Sequence, residues 1–226
     1  MLSGAEEGRL ASEWGAPSSH VGPGVHALGI ASPRDALLYV PRGYRDDQPV
    51  PLAVMLHGSG GTAEHGLAIL RTHSDDANFA ILAPASREHT WDAILGGYGP
   101  DVDFIDAAID ATFDCCGIDP AHIAIGGFSD GASYALSLGL TNGELFSHVI
   151  ALSPGFMAPT GQCGAPSVYL SHGTQDTVLP IDRCSRPLVP ALEEAGYELR
   201  YHEFDGGHVL PEEVRREAVE WFVGRG

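Results

Sequence analysis

Apolar runs in this chain end on glycine- and histidine-bearing loops in a set order, and that order constrains the fold more than any other feature. Leu52-Ala53-Val54-Met55-Leu56 runs into His57-Gly58-Ser59-Gly60-Gly61, and His122-Ile123-Ala124-Ile125-Gly126 runs into Gly127-Phe128-Ser129-Asp130-Gly131. Ser167 to His172 leads into Gly173-Thr174-Gln175-Asp176, and Glu198 to Phe204 leads into Gly206-Gly207-His208. Each run has the length and composition of a buried strand. Strands with loaded loops at their C-terminal ends and helical patterns between them predict an α/β fold. Its central sheet is mostly parallel, with helices on both faces.

The loops carry complementary chemistry. Ser129 stands where a strand turns into the helical pattern Ala132 to Leu138, and glycines two residues to either side leave room for neighbouring backbone. A hydroxyl is a weak nucleophile near neutral pH and needs a base, and that base needs an orienting acid. Asp176 follows Ser129 by 47 residues and His208 follows Asp176 by 32, each just past a strand. The catalytic candidates are therefore Ser129 as nucleophile, His208 as base and Asp176 as the group that sets the imidazole tautomer. Backbone N–H groups of Ser59 and Asp130 are the expected oxyanion-hole donors. Gly58 to Ala63 also fits a dinucleotide-binding turn, but that turn wants an acid at the end of the next strand. Phe79 to Ala83 ends in Pro84-Ala85 instead.

Strands are expected at 52–56, 79–83, 122–126, 148–152, 167–171 and 198–204, after an antiparallel pair formed by Val25 to Ile30 and Ala36 to Val40. Val102, Ile105, Ile109 and Phe113 recur at helical spacing behind Pro100-Asp101, read as an N-cap, with Asp103, Asp106 and Asp110 on the solvated side. These acids read as surface charge rather than metal ligands. At 226 residues and 44% hydrophobic content, 1–226 reads as a single domain, with 1–24 an irregular N-terminal segment. That segment lacks a signal-peptide pattern, and no apolar stretch reaches membrane-spanning length, so a soluble cytoplasmic protein is expected. A net charge of -18 argues against nucleic acid or an anionic membrane as partner. All twelve basic residues are arginine, which a GC-rich genome or salt adaptation would each produce. Cys115, Cys116, Cys163 and Cys184 show no zinc spacing; buried thiols are expected, with a Cys163–Cys184 bridge left open. Association into a homo-oligomer is also left open.

The segments His57 to Gly61, Thr90-Trp91-Asp92, Gly127 to Gly131, His172 to Asp176 with Pro180, and Gly207-His208 with Pro211 resemble the α/β-hydrolase superfamily. Within it the chain is similar to the small bacterial phospholipase/carboxylesterase and dienelactone-hydrolase-like esterases, from about Leu37 to Phe222. The resemblance implies a cofactor-independent, metal-free carboxylic ester hydrolase that forms an acyl-serine on a small-molecule ester. A thioesterase or acyl transferase using the same triad is the alternative. Related carboxylesterases often carry glutamine at the position of Asp130, whose carboxylate must turn away from the oxyanion for its N–H to help. Trp91, Ile94, Leu95, Phe156 and Met157 lie on loops after strands and are candidate substrate contacts, or core beneath those loops. Only Pro154 to Pro166 separates two strands where lipases insert a lid, so no cap domain is expected and short to medium acyl esters are the expected substrates.

Overall fold

Two-residue alternation explains why the central strands read as unbroken apolar runs. In β3 (Val50–Leu56), Leu52, Val54 and Leu56 enter one hydrophobic cluster, while Ala53 and Met55 enter a second on the opposite face. The same split separates Ile123 and Ile125 from Ala124 in β5 (Ile118–Phe128), and Val149 and Ala151 from Ile150 and Leu152 in β6 (His148–Leu152). A strand buried on both faces has no side that must be polar. Helices α4 (Pro100–Cys115), α5 (Asp130–Thr141) and α6 (Ser185–Glu194) cover the first face. Helices α1 (Ala63–Ala68), α2 (Arg71–Ala77) and α7 (Glu212–Phe222) cover the second. The remaining helix, α3 (Asp92–Leu95), is a single turn.

This computed structural model describes residues 2–224, so Met1, Arg225 and Gly226 of the expected domain lie outside the described residues. The other strands are β1 (Gly24–Ala27), β2 (Ala36–Val40), β4 (Ala80–Pro84), β7 (Ser167–Gly173) and β8 (Leu199–Phe204). They form one eight-stranded sheet in the order β1-β2-β4-β3-β5-β6-β7-β8, antiparallel at β1/β2 and β2/β4 and parallel from β4 to β8. The chain winds from β3 to β4 in one direction, then crosses to β5 on the other side of β3. Winding reverses at β3/β5, where Leu56 pairs with Gly127, and loaded loops collect at such reversals. Only a loop, Ser153 to Pro166, joins β6 to β7, and no cap domain covers the strand ends. Among the described residues no helix is long and apolar enough to cross a membrane.

Several sequence expectations shift at their edges. The first hairpin strand stops at Ala27 rather than Ile30, because the Asp35 carboxylate takes the N–H groups of Gly29, Ile30 and Ala31 at 2.6, 3.2 and 3.3 Å. Of the expected irregular segment, residues 2–23 are irregular beyond a 3-10 turn at Ala5–Glu7, while Gly24 opens β1, yet the segment is bonded down as a strap. Asp106 accepts from the N–H groups of Ala11 (2.9 Å) and Ser12 (2.8 Å), and the Trp14 indole donates to Ile118 O at 2.8 Å. Asp106 is thus half-buried rather than on the solvated face of α4. Cys116 and Cys184 are buried, Cys115 and Cys163 only partly, and all four are free thiols. The Arg9 guanidinium donates to Cys163 Sγ at 2.9 Å.

Helix α4 is capped by Gly99, with Pro100 at its first position, and Asp101 turns inward instead of capping. Its carboxylate accepts from the N–H groups of Arg87 (2.5 Å) and Asp92 (2.7 Å), while Asp92 Oδ2 accepts from Asp101 N–H at 2.9 Å. This reciprocal clamp closes the 92–101 loop. Burial pushes the Asp101 carboxyl up to about 6, and the Asp92 charge adds to that against the two N–H donors. The folded protein therefore holds this proton more tightly than the unfolded chain, where a carboxyl titrates near 4. Its stabilising contribution is full below about pH 4 and is lost as pH rises through about 6. We expect denaturant unfolding to show wild type losing stability relative to Asp101→Asn between about pH 4 and 7, by on the order of 3 kcal/mol. A pH-independent difference between the two proteins would show that Asp101 titrates as an ordinary carboxylate.

Candidate active site

Ser129 sits between β5 and α5 with φ 58° and ψ −122°, a left-handed backbone that a residue with a Cβ adopts at a cost. The surroundings enforce it. Its N–H donates to Leu152 O at 3.0 Å, and its carbonyl accepts from Ala132 and Ser133 N–H in the first turn of α5. Glycine is required on both sides: a Cβ at Gly127 would lie 2.5 Å from the Gly131 carbonyl carbon, and one at Gly131 would lie 2.2 Å from Leu56 O. The turn is thus wedged against the end of β3, and Ser129 Oγ projects from it to donate to His208 Nε2 at 2.8 Å.

From His208 a hydrogen-bond chain runs into the interior. The imidazole Nδ1–H donates to Asp176 Oδ2 at 2.6 Å, and Asp176 Oδ1 accepts from the N–H groups of Val178 (2.9 Å) and Leu179 (2.8 Å). Burial opposes ionisation of Asp176, but these donors outweigh it and hold the carboxyl below its ordinary value. The β7 and β8 loops that carry the pair are tied by Thr174 N–H to Phe204 O (2.9 Å) and Gln175 N–H to Gly206 O (2.9 Å). Below Asp176 lies the buried His172, whose Nε2 donates to Leu179 O at 2.8 Å and stands 3.3 Å from Asp176 Oδ2. The Ser185 hydroxyl donates to its Nδ1 at 2.6 Å, which fixes the tautomer, and burial lowers its pKa. His172 thus presents an N–H, not a positive charge, to the acid.

The β3 loop passes next to Ser129, since a Cβ on Gly58 would stand 3.4 Å from that of Ser129. Ser59 is exposed at its tip. Asp130 opens α5, so its N–H is one of those a helix N-terminus leaves without an intrahelical acceptor. Its carboxylate accepts the Thr90 hydroxyl at 2.7 Å and is engaged there. The loop is pinned from behind: the buried His57 ring donates from Nδ1 to Gly58 O at 2.7 Å and accepts Ser86 N–H on Nε2 at 3.0 Å. Gly60 N–H donates to His89 O at 2.6 Å.

Trp91, read from sequence as a substrate contact, is 0% exposed and belongs to this support. Its indole N–H donates to His57 O at 2.9 Å, and its ring stacks on Tyr134 of α5 with centroids 5.2 Å apart. An indole with its donor satisfied and both faces packed offers nothing to a ligand. Ile94 is half-buried, packed against the α4/α5 core, and Leu95 is 50% exposed. Phe156 and Met157 are half-buried on the loop after β6. That loop is fastened to α5 by three hydroxyls spaced four residues apart. Ser133, Ser137 and Thr141 each donate back to the carbonyl four residues earlier and accept the N–H groups of Gly155 (2.8 Å), Ala158 (2.9 Å) and Thr160 (3.2 Å). Val178 and Val209, not singled out in the sequence, are 64% and 52% exposed and follow Asp176 and His208 in the chain.

The chain matches the Phospholipase/Carboxylesterase family over residues 44–218. A probable feruloyl esterase C of Aspergillus oryzae is 31% identical over 188 residues, covering 76% of this chain and 67% of that protein. The putative esterase NocK of Nocardia uniformis subsp. tsuyamanensis is 30% identical over 149 residues, 60% of this chain but only 42% of that relative's length. Among solved structures, esterase PE8 superposes with a TM-score of 0.65 at 25% identity, covering 79% of this chain and 97% of that one. Both the extent of the family match and the fold lead to one assignment: the chain belongs to the Phospholipase/Carboxylesterase family and has its α/β-hydrolase architecture.

Proposed function

We propose that this protein is a serine carboxylic ester hydrolase acting on small, uncharged esters with short to medium acyl groups. The observation that carries the reading is the continuous relay from Ser129 Oγ through His208 to the buried carboxylate of Asp176. Ser129 attacks the acyl carbon as His208 Nε2 takes its proton, and Asp176 holds the imidazole in the tautomer that can accept it. The carbonyl oxygen becomes an anion that Ser59 and Asp130 N–H groups stabilise. His208 then returns the proton to the departing alcohol, leaving an acyl-serine that water hydrolyses by the same steps in reverse.

The net charge of -18 disfavours anionic esters. The feruloyl esterase relative makes aryl esters worth including among the substrates. Without a cap, added methylenes gain their roughly 0.8 kcal/mol each only while a wall covers them.

Ser129→Ala removes one hydroxyl and leaves the turn, so turnover of a p-nitrophenyl ester should fall on the order of 10⁴-fold with the melting temperature nearly unchanged. Retention of more than a tenth of the wild-type rate would exclude Ser129 as nucleophile. Asp176→Asn should lose activity on the order of 10³- to 10⁴-fold through the wrong imidazole tautomer, with its fold checked by near-UV circular dichroism. Across C2 to C16 p-nitrophenyl esters, kcat/KM should peak below C12 without a jump at the solubility limit. A peak at C12 or beyond would point to a deep acyl tunnel.

A further inference from the structure

Because β2 runs antiparallel to β4, its first residue, Ala36, pairs with Pro84 at the C-terminal end of β4. The β1–β2 connection is thereby delivered to the end of the sheet where the functional loops gather, and Arg34 lies on it. Its guanidinium bridges two of those loops. Nη2 donates to Gly61 O at 2.8 Å, at the end of the oxyanion loop, and to Ser86 Oγ at 3.2 Å; Nε donates to Ser86 O. The same Nη2 stands 3.5 Å from His57 Nε2, beside the Ser86 N–H that this nitrogen accepts. Two donors facing one ring nitrogen require it to be unprotonated. Burial, with the Arg34 charge adding to it, lowers the His57 pKa and favours that state.

The charge on Arg34 is also left without a counter-ion. Among the described residues no carboxylate lies within ion-pair distance of it, and that of its neighbour Asp35 is occupied by three backbone N–H groups. A positive charge fixed by hydrogen bonds, unneutralised, and bonded two residues from Ser59 favours negative charge developing at that loop.

We propose that Arg34 is a positioning residue for the oxyanion hole. It locks the 57–61 loop to the β4 loop, holds His57 in one tautomer, and adds a standing positive potential where the oxyanion forms. The inference rests on the ester-hydrolase reading of the Ser129 site. Arg34 touches no reacting atom and acts through the loop, so its removal should impair the transition state more than substrate binding.

The test compares wild type with Arg34→Lys, Arg34→Gln and Arg34→Ala on a p-nitrophenyl ester, with Ser129→Ala as control. Arg34→Ala and Arg34→Gln should lose about 10- to 100-fold in kcat with KM within about twofold. The inhibition constant of a boronic acid, which mimics the tetrahedral adduct, should rise by the same factor. Arg34→Lys keeps the charge but cannot bridge both loops, and should fall between wild type and Arg34→Ala. Arg34 borders a cavity of ≈ 420 Å³ with Pro33, Thr62 and Ala85, so millimolar guanidinium should restore part of the Arg34→Ala rate. If Arg34→Ala and Arg34→Gln fail to fold, the lysine variant alone decides. A folded Arg34 variant with wild-type kcat and boronate affinity, or one whose loss lies in KM alone, overturns the proposal. Failure of wild type to turn over esters, or turnover surviving Ser129→Ala, would instead overturn the ester-hydrolase reading.

Discussion

The reversal of winding at β3/β5 is the constraint from which the rest of the site follows. In a sheet wound one way throughout, the loops after consecutive strands would be offset by an intervening helix layer. Here β3 and β5 are neighbours although β4 and four helices' worth of chain lie between them in sequence order, and Leu56 is paired with Gly127. The strand ends that carry His57 and Ser129 therefore have nothing between them. Their separation is set by main-chain hydrogen bonding, and Gly127 and Gly131 remove the side chains that would force the two turns apart. Asp176 and His208 then arrive on the loops after β7 and β8, strands paired in register through Gly173 and Phe204.

Two buried carboxylates show how the same interior can push acids in opposite directions. Asp176 receives three donors, from His208 and from the N–H groups of Val178 and Leu179, and stays easily ionised. Asp101 receives two N–H donors and has the Asp92 carboxylate for a neighbour, and it holds its proton to about 6. Asp101 is the more deeply buried of the two, and burial is the main reason its carboxyl holds the proton. The number of dipoles aimed at the charge and the presence of a like charge nearby widen that difference. The first arrangement suits a carboxylate that orients the His208 ring, and a loop clamp works with the second.

The hydrogen-bonded cluster of Ser129, His208 and Asp176 could be anticipated because its members sit in contiguous signals: a serine between spaced glycines, and an aspartate and a histidine just past apolar runs. The strand cores were legible for the same reason, since burial on both faces leaves runs of Val, Ile, Leu and Ala with no polar alternation. Arg34 and His172 were not legible. Arg34 bonds main-chain oxygens 27 and 52 residues away, and a carbonyl oxygen is present at every position and marks none. Trp91 was misplaced because an aromatic on a glycine-rich loop looks available. Only the fold shows that His57 O and the Tyr134 ring have already claimed it. The inward turn of Asp101 was equally hidden, since Pro100-Asp101 at a helix start reads as an ordinary cap.

The hydroxyl ladder on α5 bears on how the site keeps its shape in motion. Ser133, Ser137 and Thr141 give one face of the helix a row of acceptors, and the Phe156-Met157 loop hydrogen-bonds to it much as an edge strand bonds to a sheet. The helix that begins just after Ser129 thus also carries the Phe156-Met157 loop. When α5 rocks on the sheet, serine and flanking loop move together, so thermal displacement changes their joint orientation toward His208 before it changes the gap between them. Between α5 and the β7/β8 loops, the hydrogen bond from Ser129 Oγ to His208 Nε2 and the packing of the Phe128 and His208 rings join the two sides of the site.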